Sequence, residues 1–191
     1  MRSMLDDAVR LREEGRAEAA KDKLLLLLQQ YESIMAAGHN PSIRQALYEA
    51  ETGAEKAMNG QDPFYAELLY QIAWTHDVLG LESAAVPFYE QSLSAGLADK
   101  WRPGALLGLG STYRTLGQYE QSENVLRQAI ENYPEHKEFQ VFYAMTLYNL
   151  RQNDQAMGIL LHLLADTSSD PGITEYARAI NFYADKLDLI W

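Results

Sequence analysis

The stretch RTLGQYEQSENVLRQAIENYP, from Arg114 to Pro134, sets a glycine between two helix-like patterns, and its skeleton recurs on both sides. HDVLGLESAAVPFYEQSL precedes it and LYNLRQNDQAMGILLHLL follows it. LREEGRAEAAKDKLLLLL, near the start of the chain, is a fourth copy. Aligned on the turn, Gly15, Gly80, Gly117 and Arg151 take the same place. The last two intervals are 37 and 34 residues, and the first, at 65, is almost two periods. A helix–turn–helix unit repeated at such a period cannot bury its apolar faces alone, so its neighbours must stack on it. The fold class that follows is all-α, a solenoid of helical hairpins.

The central copy shows the pattern in detail. Leu106, Leu109, Gly110, Tyr113 and Leu116 fall on one face of a helix. Beyond Gly117, Ser122, Val125, Leu126, Ala129 and Ile130 mark a second 3.6-residue face. Gly117 suits a helix stop because glycine accepts the left-handed conformation there. Gly110 removes a side chain where two helices cross closely, and Pro134 ends the second helix.

With Leu106, Leu109, Gly110, Tyr113, Gly117, Ser122, Leu126, Ala129 and Pro134 at these spacings, the chain resembles the tetratricopeptide-repeat family. The preceding copy supplies Leu69, Ile72, Ala73, His76, Gly80, Ala85 and Tyr89, departing from the pattern at His76 and Ser92. The following copy supplies Tyr143, Ala144, Leu147, Ala156 and Leu160, with Arg151 in the turn. The N-terminal copy keeps Ala8, Leu11, Gly15, Ala20 and Leu24 but has Asp7 at an apolar position. The wording LGLESAAVPFYEQSL…GALLGLGSTYRTLGQYEQS is also similar to a bacterial subfamily of these repeats with no assigned activity.

The resemblance implies a right-handed superhelix of nine to ten helices in a single solenoid over 1–191. Within it we expect a degenerate repeat over 1–34, an extra helical segment over 35–65, repeats over 66–102, 103–136 and 137–170, and a capping helix over 171–191. In NPSIRQALYEAETGAEKAMNG, the apolar spacing after Asn40 and Pro41 predicts a helix over 41–58, stopped by Asn59-Gly60. Leucines at 24–28 surround their helix, a pattern that favours burial on all sides, with a dimer seam as the alternative. Asp170 and Pro171 predict the start of the last helix, on which Ile173, Tyr176, Ala177, Ile180 and Tyr183 share a face.

Little in the sequence points to catalysis. His39, His76, His136 and His162 have no i, i+4 partner, and the absence of cysteine leaves no zinc set. His76 beside Asp77 invites an acid–base reading, but His76 falls on the packing face, where a buried, hydrogen-bonded histidine is expected. GLGS at 108–111 lacks the phosphate-loop frame and lies within a helical pattern. We therefore expect no enzyme, no cofactor and no metal. The formal charge of −11, from 16 basic and 27 acidic residues, argues against nucleic acid and anionic membrane as partners. No stretch approaches the roughly 20 apolar residues of a membrane span, and a cytoplasmic location is expected.

The expected task is non-catalytic binding of a protein or peptide. The resemblance implies that the first helix of each hairpin lines a concave groove. Positions offset from the packing face select Tyr70, Trp74, Asp77, Leu107, Ser111, Arg114, Val141, Met145, Tyr148, Asn149, Arg178 and Asn181. Aromatic anchors, two guanidinium groups and two amides suit an extended peptide or helix. Arg114 and Arg178, with Asn149 and Asn181, could grip a carboxylate, unless the arginines pair internally with Asp77 or Glu138. The alternative is a self-associating assembly protein, a homodimer, joined through the groove or the N-terminal helices.

Overall fold

A computed structural model describes residues 1–37, 49 and 62–190. Among the described residues the chain forms nine helices and no strand. They are α1 (Arg2–Glu13), α2 (Ala17–Ala37), α3 (Pro63–Val78), α4 (Glu82–Ser94), α5 (Arg102–Thr115), α6 (Tyr119–Asn132), α7 (Glu138–Asn149), α8 (Asn153–Thr167) and α9 (Pro171–Ala184). The helix expected over 41–58 falls almost wholly outside the described residues. The backbone gathers into two compact units, Met1–Thr112 and Tyr113–Trp191, with the division inside α5.

The turns follow one stereochemical plan. Gly15, Gly80, Gly96 and Gly117 have φ of 79°, 68°, 85° and 76°, and Arg151, at 65°, is the non-glycine counterpart. Each sits two residues past the last residue of its helix, in a Schellman motif. After α5, the Gly117 N–H reaches the Arg114 carbonyl at 3.0 Å and the Gln118 N–H reaches that of Tyr113 at 2.9 Å. After α7, Arg151 bonds to Tyr148 at 3.1 Å and Gln152 to Leu147 at 2.9 Å. Two carbonyls that the helix would leave unpaired are satisfied each time. The four turn positions aligned in the sequence thus share one backbone geometry.

In the first unit, α1 and α2 pair, α2 packs on α3, and α3 on α4. Leu5, Leu24, Leu27, Phe64 and Leu68 lose all contact with water at this centre. Each such side chain contributes roughly 1.5–3 kcal/mol by burial. The leucine run departs from the expected burial on all sides: Leu24 and Leu27 are buried, but Leu25 and Leu26 are exposed. Two core leucines three residues apart make a one-sided stripe, and the leucines between them face away. Asp62 caps α3, accepting from the Tyr65 N–H at 3.0 Å, with Pro63 in the first turn. Its other carboxylate oxygen accepts from the Tyr31 hydroxyl, which ties the start of α3 to α2.

A polar core lies where α3, α4 and α5 meet. Asp77 accepts from the Tyr89 hydroxyl at 2.7 Å and from Thr112 Oγ1 at 2.9 and 3.1 Å. Burial pushes the Asp77 carboxyl above its ordinary value, and the two hydroxyl donors only partly offset this. The hydroxyl end of the Tyr89 ring abuts Gly108: a Cβ there would stand 2.4–2.9 Å from Oη, Cζ and Cε1. Gly104 makes room for the Tyr70 hydroxyl in the same way, at 2.6 Å. Gly110, the residue expected at a helix crossing, is buried within α5.

The second unit is built from successive antiparallel contacts of α6 with α7, α7 with α8, and α8 with α9. Ala144, Leu147 and Ala156 form a core between α7 and α8, with Tyr143 and Ile159 at its edge. Ser122 and Thr146, both fully buried, satisfy each other at 2.8 Å between α6 and α7. Asp170 caps α9 through the Ile173 N–H at 3.0 Å, with Pro171 in the first turn, as its sequence position implies.

Four outcomes are expected from this geometry. Arg151→Gly should stabilise the protein by about 0.5–1 kcal/mol, because the left-handed penalty it relieves exceeds glycine's extra unfolded-state entropy. Gly117→Ala should destabilise by about 1 kcal/mol for the converse reason. Opposite shifts in thermal midpoint check the pair. Gly108→Ala should cost about 1–3 kcal/mol, the usual range for overpacking, since the Tyr89 hydroxyl that the new methyl would meet is held in place by Asp77. Asp77→Asn keeps an acceptor for Tyr89 and Thr112 but removes the buried charge. With the folded pKa raised, ionised Asp77 weakens the fold at neutral pH, and that cost disappears as pH falls through the folded value. The midpoint of Asp77→Asn should therefore equal or exceed that of wild type at pH 7, with the advantage shrinking toward pH 4.

Candidate functional site

The second unit carries an opening of about 410 Å³ lined by Arg114 of α5, by Ala144, Met145, Tyr148 and Asn149 of α7, and by Asn153, Ala156, Met157 and Leu160 of α8. Its floor comes from the α7–α8 contact, where the small side chains of Ala144 and Ala156 pack. Its walls are long side chains left unusually open to water. Met145 is 40% exposed, Tyr148 62%, Met157 48% and Leu160 38%. Exposed apolar groups gathered around a concavity mark a contact surface more often than scattered ones do.

Arg114 supplies the charge. It sits in the last turn of α5, three residues before the αL residue Gly117, so the helix end fixes its backbone. Its Nη1 approaches Asn149 Oδ1 at 3.5 Å, the outer limit of a hydrogen bond. Its Nε is buried with no hydrogen-bond partner. Among the described residues no carboxylate pairs with it, and none lines the opening. The two internal partners considered for it are taken: Asp77 by Tyr89 and Thr112, and Glu138 by His136 Nδ1 at 2.8 Å. The opening therefore combines one uncompensated guanidinium, two amides and a flexible apolar wall of two thioethers and a leucine.

The twelve residues expected to line a groove divide between the units. Arg114, Met145, Tyr148 and Asn149 converge on this opening. Val141, earlier on α7, is half-buried and is not among its lining. On α9, Arg178 is exposed, while Asn181 is engaged: its Oδ1 faces His162 Nδ1 at 2.7 Å and its Nδ2 donates to Asp166 at 3.2 Å. In the first unit, Tyr70 is buried among the rings of Trp74, Tyr89 and Trp101. Trp74 is 39% exposed, with the Arg12 guanidinium 3.9 Å from its ring centroid. Arg12 itself is buried and bonded to the Gln71 carbonyl and the Thr75 hydroxyl, both at 3.3 Å. Asp77 serves the polar core, and Leu107 and Ser111 are half-buried.

The α8 wall was not foreseen. Asn153, Ala156, Met157 and Leu160 follow i, i+3, i+4 and i+7, so helical spacing could have found it. The repeat pattern puts Ala156 and Leu160 at packing positions instead. His76, the other candidate for chemistry, is buried, and its Nδ1–H donates to the Ile72 carbonyl at 2.8 Å. Its ring is tilted by 31° to that of Phe88, with the centroids 5.4 Å apart. Among the described residues no group of three or more acidic, histidine or cysteine side chains could hold a metal ion. No described helix is long and apolar enough to cross a membrane.

Comparison with known proteins agrees with this architecture. A family model described as a tetratricopeptide repeat matches residues 66–187. No curated protein matches the chain in sequence. Among solved structures, the chain is similar to the nearly identical TPR-like repeats of a candidate kinesin light chain from Podosopora anserina. The TM-score is 0.62 at 18% identity, over 98% of this chain and 87% of that one. A single-substitution variant of the same protein gives the same values. A third structure, YrrB, titled a TPR protein with an unusual peptide-binding site, aligns with TM-score 0.49 at 14% identity, over 92% of this chain and 90% of that one. The family match covers more than half of the chain and begins within α3, and the repeated turns from Gly80 to Arg151 fall inside it; the protein belongs to the tetratricopeptide-repeat family.

Proposed function

We propose that the protein is a non-catalytic scaffold that binds a peptide segment of another protein in the α7–α8 opening, and that Arg114 is its anchor for a carboxylate. The observation that carries this reading is the uncompensated Arg114 guanidinium in a wall otherwise made of Met145, Tyr148, Met157, Leu160 and two asparagines. In a chain of net charge −11, a cation left without an acidic neighbour is available to an acidic ligand. A guanidinium fork matches a carboxylate in shape as well as charge. The asparagines offer further donors for the ligand's backbone, and the methionines adapt to varied apolar side chains. The favoured ligand is an extended segment with an acidic side chain, or a free C-terminal carboxylate, close to an apolar residue.

A second reading, self-association, draws support from α9 and the residues after it. Tyr176, Phe182, Tyr183, Leu187 and Leu189 are each about half exposed or more. A solution mass that rises with concentration would favour it.

The main test is selection from a random peptide library with free C-termini, on wild type and on Arg114→Glu. Enrichment of acidic–apolar peptides by wild type is expected, with at least a tenfold loss of affinity in Arg114→Glu at an unchanged thermal midpoint. Tyr148→Ala should weaken the same peptides by about fivefold to thirtyfold, the range of an aromatic contact worth 1–2 kcal/mol. Basic or sequence-random enrichment, or equal binding by Arg114→Glu, would overturn the reading.

A further inference from the structure

The contact between α8 and α9 contains a histidine whose surroundings dictate its protonation. On α8, Gly158, His162 and Asp166 form a stripe at i, i+4 and i+8. Facing it are Asn181, Ala184 and Asp185, from α9 and the residue that follows it. Gly158 lets the second element come close: a Cβ there would lie 3.3 Å from the Ala184 carbonyl oxygen and from Asp185 Oδ1.

The donors and acceptors can be counted. Asp166 is a carboxylate, so the Asn181 group facing it at 3.2 Å must be the amide nitrogen. That leaves the Asn181 oxygen toward His162 Nδ1 at 2.7 Å, and Nδ1 must carry a proton. His162 Nε2 lies 3.1 Å from both oxygens of Asp185, which can only accept, so Nε2 carries a proton too. Every contact is satisfied only when the ring is an imidazolium. We infer that His162 is an acid-fastened latch: its doubly protonated ring ties α9 to α8 through Asn181 and Asp185, and loss of one proton loosens α9.

The charges that bear on the ring are few. Asp185 and Asp166 both favour its protonation. Lys186, next to Asp185, turns away to the Phe182 carbonyl at 2.7 Å and lies over that ring. On α7, which packs on the other side of α8, Glu138 is held by His136, Tyr143 interacts with Glu123 and Arg127, and Tyr148 lines the opening described above. The bonds to Asn181 and Asp185 hold the imidazole above its ordinary value, against the opposing effect of burial. Because the folded value lies above the unfolded one, the added stability is complete below about pH 6.5 and is lost as pH rises through the folded value. Asp185 is largely exposed, which keeps the coupling modest.

The test is amide hydrogen exchange of α9 in the full chain from pH 5.5 to 8.5, corrected for intrinsic rates and referenced to α6, together with NMR titration of the His162 ring. His162 should titrate above 6.5, and α9 protection should fall roughly two- to fivefold across that transition relative to α6, the range of an exposed ion pair. His162→Gln, which cannot titrate, should give α9 protection that is flat with pH, and Asp185→Asn should lower the His162 titration point. Titration at or below 6.5, protection independent of pH in wild type, or an unchanged pH profile in His162→Gln would each overturn the latch. The ring titration is read on the unmodified chain, so the outcome does not depend on the folding of any variant.

Discussion

Helix termination in the left-handed conformation is the constraint on which the rest of the structure depends. A hairpin of helices needs the chain to reverse within a few residues, while the last carbonyls of the first helix still need donors. One residue at φ near +75° does both, because the two N–H groups that follow the reversal point back at those carbonyls. The chain uses this device after α1, α3, α4, α5 and α7. With the turn fixed, the separation of paired helices is set by the side chains between them. This explains why small residues recur at the contacts: Ala8, Ala20, Ala73, Ala85, Ala129, Ala144 and Ala156 are all buried.

That dependence also explains what the sequence made legible. Glycine at a fixed offset from an apolar stripe is a local signal, so Gly15, Gly80 and Gly117 marked the hairpins directly. Arg151 was placed by period alone and adopts the same φ, which shows that the surrounding hairpin imposes the turn even where the side chain resists it. The caps at Asp62 and Asp170 have the same local character. Features arising from the meeting of different helices were not legible. Nothing around Gly108 in its own helix says that a tyrosine ring 19 residues earlier lies against it. The exposure of Leu25 and Leu26 depends on which neighbours α2 acquires, and the composition of LLLLL does not encode that.

The candidate site was legible in the same partial way. Offsetting from the packing face of α7 found Met145, Tyr148 and Asn149, and the end of α5 gave Arg114. The offset failed where a polar residue had a task inside the protein. Asp77 and Asn181 sit at outward-reading positions, yet each accepts or donates hydrogen bonds across a helix contact. Tyr70 is drawn inward by neighbouring rings. A side chain's direction along its own helix is fixed by geometry, but its burial is fixed by what packs over it. Single-helix reasoning therefore over-counts the polar members of a surface and misses the facing helix, as it did with Asn153, Met157 and Leu160.

The buried and half-buried polar groups fall into two kinds, and the difference bears on function. Asp77, Ser122, Thr146 and Asn181 have partners from another helix, so they fix the helix register and are already spent. Arg114 differs: one weak contact to Asn149, a buried Nε without an acceptor, and no acid in the wall around it. An arginine whose only task was to hold α5 in place would be better served by an acidic partner, and acidic residues outnumber basic ones in this chain. Leaving that position unfilled costs stability, as it does at the buried Arg12 Nη2, but Arg12 bonds to the Gln71 carbonyl and the Thr75 hydroxyl and lies over the Trp74 ring, whereas Arg114 borders an opening. A ligand carboxylate in the α7–α8 opening would supply the acceptor that Arg114 lacks, which is why the proposed anchor is placed there.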